Sequence, residues 1–335
     1  MSNLICVNKN GLYCPRGDFY IDPWRPVEKA VITHAHSDHA RWGSRYYLCT
    51  TGSELLLRRR LGEEVSIETV PYHRTKKIKD VSVTLVPAGH MLGSAQIKVE
   101  YNGEIVVVSG DYKLDADPTC ESFEPVNCNT FISEATFALP IYKWKDPAGV
   151  FKEINNWWKE NSEAGVTSIL YGYSLGKAQR LIAGIDNSIG PVFVHGSVAS
   201  MNEAYIRSGV RIPELKNLTD TADKAELEKA MVIAPPSASS PGWLRRFKKY
   251  RTAFASGWMQ IRGNRRRRNV DRGFVISDHA DWYDIISTIK ETGAENVLLT
   301  HGYTDAVVKY LRECGCNAAS LKTAYSSEGE EVLEE

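Results

Sequence analysis

The chain has 335 residues, 43% hydrophobic and 24% charged, a composition typical of a globular protein with two domains, or of one large α/β domain that carries an insertion. Its 41 basic and 41 acidic residues give a formal net charge of zero, which excludes binding to nucleic acid through overall charge and leaves only local patches for such contacts. The seven cysteines form no Cys-x-x-Cys pair, which indicates reduced thiols rather than a disulfide framework. The N-terminal residues contain neither a basic leader nor a long apolar segment, so we expect a cytoplasmic protein.

The first half of the chain predicts short strands separated by turn residues. Runs rich in Val and Ile predict strands at Lys29–Thr33, Tyr46–Cys49, Val81–Val86, Gln96–Tyr101 and Ile105–Ser109. Between the last two, Asn102-Gly103 is a strong signal for a tight hairpin.

A dense group of potential metal ligands follows the first of these strands. The pattern His-x-His-x-Asp-His contains His34, His36, Asp38 and His39, and imidazole and carboxylate are the ligands that Zn, Mn and Fe accept. His34 and His36 face one side of an extended segment, whereas the adjacent Asp38 and His39 must diverge. The spacing therefore predicts two neighbouring metal positions rather than a histidine-rich surface loop.

From about Lys145 the pattern changes to alternating helices and strands, which is typical of a parallel sheet. The pattern predicts a helix over Pro147–Lys159 and strands over Thr167–Tyr171, Val192–His195, Ala230–Ala234, Gly273–Ile276 and Val297–Thr300, with a surface turn or hairpin tip at Arg262–Arg268. The last two strands lead to His279 and His301, so the C-terminal segment is expected to return to the first domain. We therefore predict a first domain formed by residues 1–144 and 263–335, with residues 145–262 as an insertion.

The requirements of two adjacent metal ions suggest how the ligands are shared. His90 and Asp111 also follow predicted strand ends, where loops project from a rigid scaffold. His34, His36 and His90 would hold one ion, and Asp38, His39 and His301 would hold the other. Asp111 would bridge the two, because one carboxylate can offer an oxygen to each ion. Asp22 is either an outer residue that orients a ligating histidine or a turn aspartate before Pro23, and the sequence leaves both interpretations open.

These motifs resemble those of a known family. The His-x-His-x-Asp-His pattern, Gly89-His90, Gly110-Asp111 and Thr300-His301-Gly302 together resemble the metallo-β-lactamase fold. Glu134 after a strand, Ser277-Asp278-His279-Ala280-Asp281 and Leu175-Gly176-Lys177-Ala178-Gln179 resemble its β-CASP nuclease branch. The resemblance covers nearly the whole chain, and the short insertion looks most like that of bacterial ligase-associated DNA exonucleases.

The resemblance implies a metallo-β-lactamase αββα sandwich with an inserted β-CASP α/β domain. It further implies a DNA-repair nuclease that uses two divalent ions, Zn first and Mn second, and hydrolyses phosphodiester bonds in single-stranded DNA with a preference for 5′ ends. An ATP-dependent DNA ligase and a helicase are the implied partners. Matching by position, the family's metal ligands fall on His34, His36, Asp38, His39, His90, Asp111 and His301. Its catalytic group falls on Asp38, Asp111, Glu134 and His279, where Glu134 orients a neighbouring ligand and His279 lies over the scissile phosphate.

Three alternatives remain open at this stage. DNA cross-link-repair nucleases carry valine where this chain has His301, and a histidine there also occurs in the RNA-processing branch, so an RNA substrate is one alternative. A small-molecule metallohydrolase is a second, although the insertion and Glu134 argue against it. A catalytically silent scaffold that binds nucleic acid is a third, which the complete set of seven ligands disfavours.

The sequence also predicts residues that hold the phosphates of the substrate. Ser174, Gly176 and Lys177 lie where a strand leads into a helix, a junction whose backbone amides can bind an anion. Lys113 follows Asp111 by two residues and is predicted to contact phosphate as well. Trp243, Trp258 and Tyr173 lie near basic segments and are candidates for base stacking.

Overall fold

The computed structural model describes residues 4–213, 215–218 and 223–321, except for the side chains of residues 224 and 265. The strands in these residues are β1 (Cys6–Asn8), β2 (Gly11–Cys14), β3 (Phe19–Ile21), β4 (Lys29–Val31), β5 (Tyr46–Thr50), β6 (Ile67–Val70), β7 (Thr75–Ile78), β8 (Val81–Pro87), β9 (Ala95–Tyr101), β10 (Glu104–Val108), β11 (Thr130–Glu134), β12 (Thr167–Tyr171), β13 (Val192–Val194), β14 (Lys216–Asn217), β15 (Met231–Ala234), β16 (Tyr250–Ala255), β17 (Arg272–Phe274), β18 (Asn296–Thr300) and β19 (Asn317–Ser320). The helices are α1 (Glu54–Leu61), α2 (Pro147–Glu163), α3 (Lys177–Gly184), α4 (Gly196–Arg207), α5 (Lys224–Leu227), α6 (Pro241–Leu244), α7 (Arg262–Arg267), α8 (Trp282–Thr292) and α9 (Thr304–Glu313).

The strands form three sheets, so the fold is mixed α/β. The first sheet has the order β1-β2-β3-β4-β5-β6, and the second has the order β19-β18-β11-β10-β9-β8-β7. The third has the order β14-β13-β15-β12-β16-β17, and all its pairs are parallel. Every helix in the described part of the chain is too short or too polar to span a lipid bilayer.

The first two sheets share one hydrophobic core, and the second sheet carries helices on its other face. Along β10, Val106 and Val108 pack in a cluster with residues of the first sheet, while Val107 packs with side chains of α8 and α9. This alternation is that of a strand buried on both faces. The layers are therefore sheet, sheet and helices.

The described chain divides into two compact units. One contains the residues up to Lys143 and those from His279 onward, and the other contains Trp144–Asp278 with the third sheet. The chain re-enters the first unit at His279, whereas the sequence predicts this boundary at residue 263. The reason is that β17 pairs with β16 and so extends the third sheet.

Most of the predicted elements are present, with ends that differ by a few residues. The predicted hairpin at Asn102-Gly103 is confirmed: both residues have positive φ, and Tyr101 pairs with Glu104 in antiparallel strands. The prediction of a surface turn at Arg262–Arg268 is wrong, since most of this run forms the helix α7. Arginine has a high intrinsic helix propensity, and it outweighs the single glycine and asparagine in the run.

The half-buried Asp284, in the first turn of α8, predicts a pH-dependent stability. Burial and the carboxylates of Asp281 and Asp115 raise the pKa of Asp284 from 3.8 to about 6. The folded state therefore binds a proton where the unfolded state does not, and its stability falls as pH rises through this interval. We expect Asp284→Asn to raise the free energy of unfolding at neutral pH by about 1 kcal/mol, a value reduced for solvent screening.

The measurement is urea denaturation of the wild type and the variant at about pH 7.5 and about pH 4, on either side of the raised pKa. The stabilising effect should disappear at the lower pH. Asp305→Asn, in the first turn of α9, is the matched control. An equal effect of Asp284→Asn at both pH values would contradict the prediction.

Candidate metal centre

Four of the predicted site residues come together because their strands end at the same edge of the second sheet. Strands β10, β11 and β18 are parallel neighbours, and β8 runs in the same direction because two antiparallel pairings separate it from β10. His90 and Asp111 follow β8 and β10, Glu134 is the last residue of β11, and His301 directly follows β18. The strand directions therefore gather side chains that lie more than 200 residues apart in sequence.

The first ligand cluster contains His34, His36, His90 and Asp111, whose ligand atoms all lie within 4.8 Å of one another. His36 Nδ1 lies 3.2 Å from His34 Nε2 and 3.1 Å from His90 Nε2. Asp111 Oδ2 lies 3.4 Å from His34 Nε2 and 3.9 Å from His90 Nε2. Three imidazoles and one carboxylate oxygen thus converge on one point.

The second cluster contains Asp38, His39 and His301, again within 4.8 Å of one another. His39 Nε2 lies 3.5 Å from Asp38 Oδ2 and also 3.5 Å from Asp111 Oδ2. The rings of His39 and His301 stack at a centroid distance of 5.6 Å. Asp111 Oδ2 is therefore adjacent to both clusters, which is the position that a bridging carboxylate requires.

The spacing and chemistry of these atoms fit divalent ions. Zn–N bonds of about 2.0–2.1 Å in a tetrahedral site place two ligand atoms about 3.3 Å apart, close to the distances of 3.1, 3.2 and 3.4 Å in the first cluster. Nitrogen and oxygen donors suit Zn and Mn alike. The two clusters can hold metal, and the donor set by itself fixes neither the element nor the number of ions.

The electrostatics of two buried groups, His34 and Asp111, favour the protonation states that metal binding needs. Burial lowers the pKa of His34 well below its ordinary value, which keeps the imidazole neutral. Burial raises the pKa of Asp111, but the imidazoles of His39 and His279 outweigh it and hold the pKa well below the usual range. Asp111 is therefore an anion and His34 a neutral donor, which are the ligand forms that a cation binds.

Asp22 orients the His39 ring of the second cluster by contacting its Nδ1 atom. Its Oδ2 lies 2.7 Å from His39 Nδ1 and accepts a hydrogen bond from the Thr33 hydroxyl at 2.5 Å, while Oδ1 accepts from the Thr33 amide at 2.8 Å. Asp22 thus fills both roles that the sequence left open, since it also lies in a turn with a φ of 43°. The sequence analysis missed Thr33, whose hydroxyl also lies 3.1 Å from His34 Nδ1. Its place next to the motif was the signal that could have identified it.

Two glycines are required where the chain turns into the site. Gly89 and Gly110 directly precede His90 and Asp111 and have φ angles of 74° and 57°. A Cβ atom on Gly89 would lie 2.2 Å from the Lys113 carbonyl oxygen, and one on Gly110 would lie 2.6 Å from the Thr33 Cβ. The positive φ and the close contact both exclude a side chain. Steric limits therefore explain why glycine precedes His90 and Asp111.

Glu134 and His279 form a third group next to Asp111. His279 Nδ1 lies 2.9 Å from Glu134 Oε2 and 3.9 Å from Asp111 Oδ2. Glu134 is buried, and its Oε1 also accepts a hydrogen bond from the Tyr112 amide at 2.9 Å. Glu134 therefore fixes the orientation of the half-buried His279 ring.

The burial and ion pairing of Lys113 do not agree with the predicted contact between Lys113 and phosphate. The side chain is 0% exposed, and its Nζ donates to Asp117 Oδ2 at 2.8 Å. Asp117 also accepts from the amide and hydroxyl of Thr119 at 2.9 and 2.6 Å. Lys113 is thus part of a buried ion pair that holds the loop after Asp111, rather than a cation exposed to a ligand.

The predicted phosphate site at Ser174, Gly176 and Lys177 is not supported either. The Gly176 amide donates to Gln179 Oε1 at 2.7 Å, and the Ser174 carbonyl accepts from Gln179 Nε2 at 3.0 Å. Lys177 Nζ is buried and lies 3.0 Å from both the Ile276 carbonyl oxygen and Asp278 Oδ1. The Gly176 amide and the Lys177 ammonium group, both expected to bind an anion, therefore have partners within the protein. The stacking candidate Trp258 is also buried.

Comparisons with known proteins give sequence relatives at low to moderate identity. The chain is 31% identical over 314 residues to a probable DNA ligase of Opitutus terrae, an alignment that covers 93% of this chain and 30% of the relative. It is 22% identical over 319 residues to endoribonuclease YSH1 of Kluyveromyces lactis, covering 76% of this chain and 41% of the relative. The chain thus spans less than half the length of each of these two proteins. No family model matches it.

A solved structure supports the fold alone. A protein of unknown function from Enterococcus faecalis V583 aligns with a TM-score of 0.52 at 13% sequence identity. The alignment covers 81% of this chain and 74% of that protein. The mixed α/β arrangement therefore also occurs in a protein that shares only 13% sequence identity with this one.

The contacts of Asp22 predict its contribution to metal affinity. We expect Asp22→Ala to weaken zinc binding about 10- to 100-fold, because His39 loses the carboxylate that fixes its ring. Isothermal titration of the metal-depleted protein with Zn²⁺ measures this change. Asp18→Ala is the matched control, since Asp18 also has positive φ but binds the exposed Lys79. An affinity as weak in the control as in Asp22→Ala would show that the effect is general.

The burial of Lys113 predicts a role in stability. Lys113→Met leaves the buried Asp117 carboxylate without its cation, so the free energy of unfolding should fall by about 3–5 kcal/mol. Chemical denaturation measures this loss, with the exposed Lys159→Met as the control. A stable Lys113→Met variant that binds nucleic acid more weakly would restore the phosphate-binding interpretation.

Proposed function

We propose that the chain is a two-metal nuclease of the metallo-β-lactamase/β-CASP type that hydrolyses phosphodiester bonds in nucleic acid. The observation that carries the proposal is the position of Asp111 Oδ2, which lies 3.4–3.9 Å from ring nitrogens of His34, His39, His90 and His279. One carboxylate oxygen thus joins both ligand clusters to a further histidine that belongs to neither. A structural zinc site would not need this additional group.

The proposed ligands divide as the distances suggest. One ion would be held by His34, His36 and His90, the other by Asp38, His39 and His301, and Asp111 would serve both. When bound, two divalent cations would activate water and offset the negative charge that develops during phosphodiester hydrolysis. Zn²⁺ is our first expectation and Mn²⁺ the second, because nitrogen-rich sites accept both.

His279 and Glu134 would complete the chemistry. The hydrogen bond to Glu134 places a proton on Nδ1 and orients the His279 ring, so in the imidazolium form Nε2 carries the second proton, which can be delivered with the ring left neutral. Delivery to the departing oxygen would assist cleavage of the P–O bond. Glu134 acts in this scheme as a positioning residue, because its contacts are with His279 and the Tyr112 amide.

We propose DNA rather than RNA as the substrate, and one of the relatives supports this choice. A segment similar to 93% of this chain lies within a longer protein named as a probable DNA ligase. Two activities that occur in one polypeptide commonly serve one process, which supports a DNA-repair exonuclease that acts with a ligase. We extend the proposal to single-stranded DNA, 5′ ends and a helicase partner on the family resemblance. All seven cysteines are present as thiols rather than disulfides, which supports action in a reducing cytoplasm.

An RNA substrate is the second candidate. The relatives named endoribonuclease YSH1 include one of Kluyveromyces lactis, which aligns over 76% of this chain. His301 beside His39 also agrees with the pattern of the RNA-processing branch. Phosphodiester chemistry at the metal centre would be the same in both cases, so only a direct assay separates them.

The deciding experiment is digestion of single-stranded DNA and RNA of the same sequence, labelled at the 5′ or the 3′ end, by protein loaded with Zn²⁺ or Mn²⁺. We expect stepwise mononucleotide release from the 5′ end of the DNA. Asp111→Ala should abolish cleavage, whereas His279→Ala should slow it by about 10²–10⁴-fold without loss of bound metal.

Each other outcome changes a defined part of the proposal. Preferential cleavage of RNA would move the protein to the second candidate. No cleavage of either polymer, with rapid hydrolysis of a thioester or lactone, would make it a small-molecule metallohydrolase. Loss of metal from His279→Ala would mean that His279 is a ligand rather than a proton donor.

A further inference from the structure

One large aromatic side chain is exposed directly after the ligand segment. Trp42 lies three residues after His39 and is 74% exposed, the highest value for a large hydrophobic side chain in the described residues. Single exposed hydrophobic residues are common on protein surfaces, so exposure alone carries no conclusion. Trp42 differs from an isolated exposed residue because its turn is anchored to the core, follows the ligand segment and precedes exposed Arg45 and Tyr46.

The backbone on both sides of Trp42 is anchored to the core. The hydroxyl of the buried Tyr47, in β5, donates to the Arg41 carbonyl oxygen at 2.7 Å and accepts from the Ser44 amide at 2.9 Å. One buried hydroxyl therefore closes the turn that carries Trp42. Gly43, inside this turn, has a φ of 103°. The indole is thus held out on a fixed turn, which lowers the entropic cost of binding a ligand there.

The same turn is linked to the metal ligands. The amide of Ala40 donates to the His36 carbonyl oxygen at 2.8 Å, so the segment from His36 to Ala40 is itself a hydrogen-bonded turn. Three residues can span at most about 11 Å, which limits the distance between the Cα atoms of His39 and Trp42. Stacked nucleotides rise about 3.4 Å each along a strand, so the two Cα atoms are separated by at most about three nucleotides, and the two side chains add to this reach.

A cation and a second aromatic ring lie next to Trp42 in sequence. The Arg45 guanidinium lies over the Tyr46 ring, 5.1 Å from its centroid, and Tyr46 is 42% exposed. Arg45 also pairs with Glu28 at 3.1 Å, but both side chains are more than 60% exposed, so solvent weakens this ion pair. Exposed aromatic rings next to exposed cations are the combination that surfaces for single-stranded nucleic acid use.

We propose that Trp42 stacks on a base of a single-stranded nucleic acid, within about three nucleotides of the bond that is cleaved. The inference rests on the proposed nuclease function and adds a residue that selects the substrate. In a duplex both faces of an internal base are covered by its neighbours, whereas an unpaired base offers a face to the indole. Trp42 thereby favours unpaired strands near the metal centre over intact duplex.

The first test compares steady-state cleavage of single-stranded DNA by the wild type, Trp42→Ala and Trp42→Phe. We expect Trp42→Ala to raise KM about 5- to 150-fold with little change in kcat, because it removes binding to a base away from the reacting phosphate. Trp42→Phe should stay within about threefold of the wild type, since the phenyl ring still stacks. Ile206→Ala is the control, because Ile206 is also apolar and 51% exposed. An unchanged KM in Trp42→Ala would overturn the proposal.

A second set of substrates locates the stacked base. Each oligonucleotide carries one abasic position, moved stepwise from the first to the fifth nucleotide on either side of the cleaved bond. One position should raise KM for the wild type as much as Trp42→Ala does, and Trp42→Ala should be insensitive to that same position. Additive effects of the variant and the abasic site at every position would contradict stacking by Trp42.

A binding measurement without metal separates this inference from the proposed function. Addition of a single-stranded oligonucleotide should quench the tryptophan fluorescence of the metal-depleted wild type, and Trp42→Phe should lose part of the quenching. If the metal-loaded wild type cleaves no nucleic acid but this difference persists, the proposed chemistry fails and the stacking role stands. Equal quenching in both proteins would overturn the stacking role even if cleavage is efficient.

Discussion

The buried negative charge of Asp111 is the constraint on which the site depends. A carboxylate that is 7% exposed has lost most of its hydration, and isolated burial of such a charge is unfavourable by several kcal/mol. The imidazoles of His39 and His279 offset this cost in the protein without metal and hold the pKa of Asp111 well below its usual range. Because the carboxylate is already ionised and surrounded by donor nitrogens, it can accept cations without a change in its own protonation state.

Two strained backbone conformations lie next to these groups. His301 has a φ of 58° and Asp22 a φ of 43°, values that non-glycine residues rarely adopt. Such conformations cost about 1–3 kcal/mol each and persist where the surroundings enforce them. Here both residues lie against His39: Asp22 contacts its Nδ1, and the His301 ring stacks on its ring. The strain is therefore concentrated around one imidazole of the second cluster.

The sequence predicts elements whose pattern is local and misses what depends on tertiary partners. The residues that the structure gathers around Asp111 were recognisable because each lies in a short motif at a strand end. Strands such as Thr75–Ile78 and Asn317–Ser320 lack a clear strand pattern and form by pairing with β8 and β18. Lys113 and Lys177 were misjudged for the same reason. The sequence does not reveal that Lys113 pairs with Asp117 or that Lys177 pairs with the distant Asp278.

The residues proposed for the chemistry differ from those that would distinguish DNA from RNA. Phosphates are common to DNA and RNA, so in the proposed reaction the ligand clusters and His279 would act on groups that both polymers share. Base stacking is also tolerant of sequence and of sugar type, so Trp42 would select unpaired strands without selecting DNA. Discrimination between the two polymers requires a contact to the 2′ position of the sugar, where RNA carries a hydroxyl that can donate or accept a hydrogen bond. That contact must therefore come from residues other than the metal ligands and Trp42.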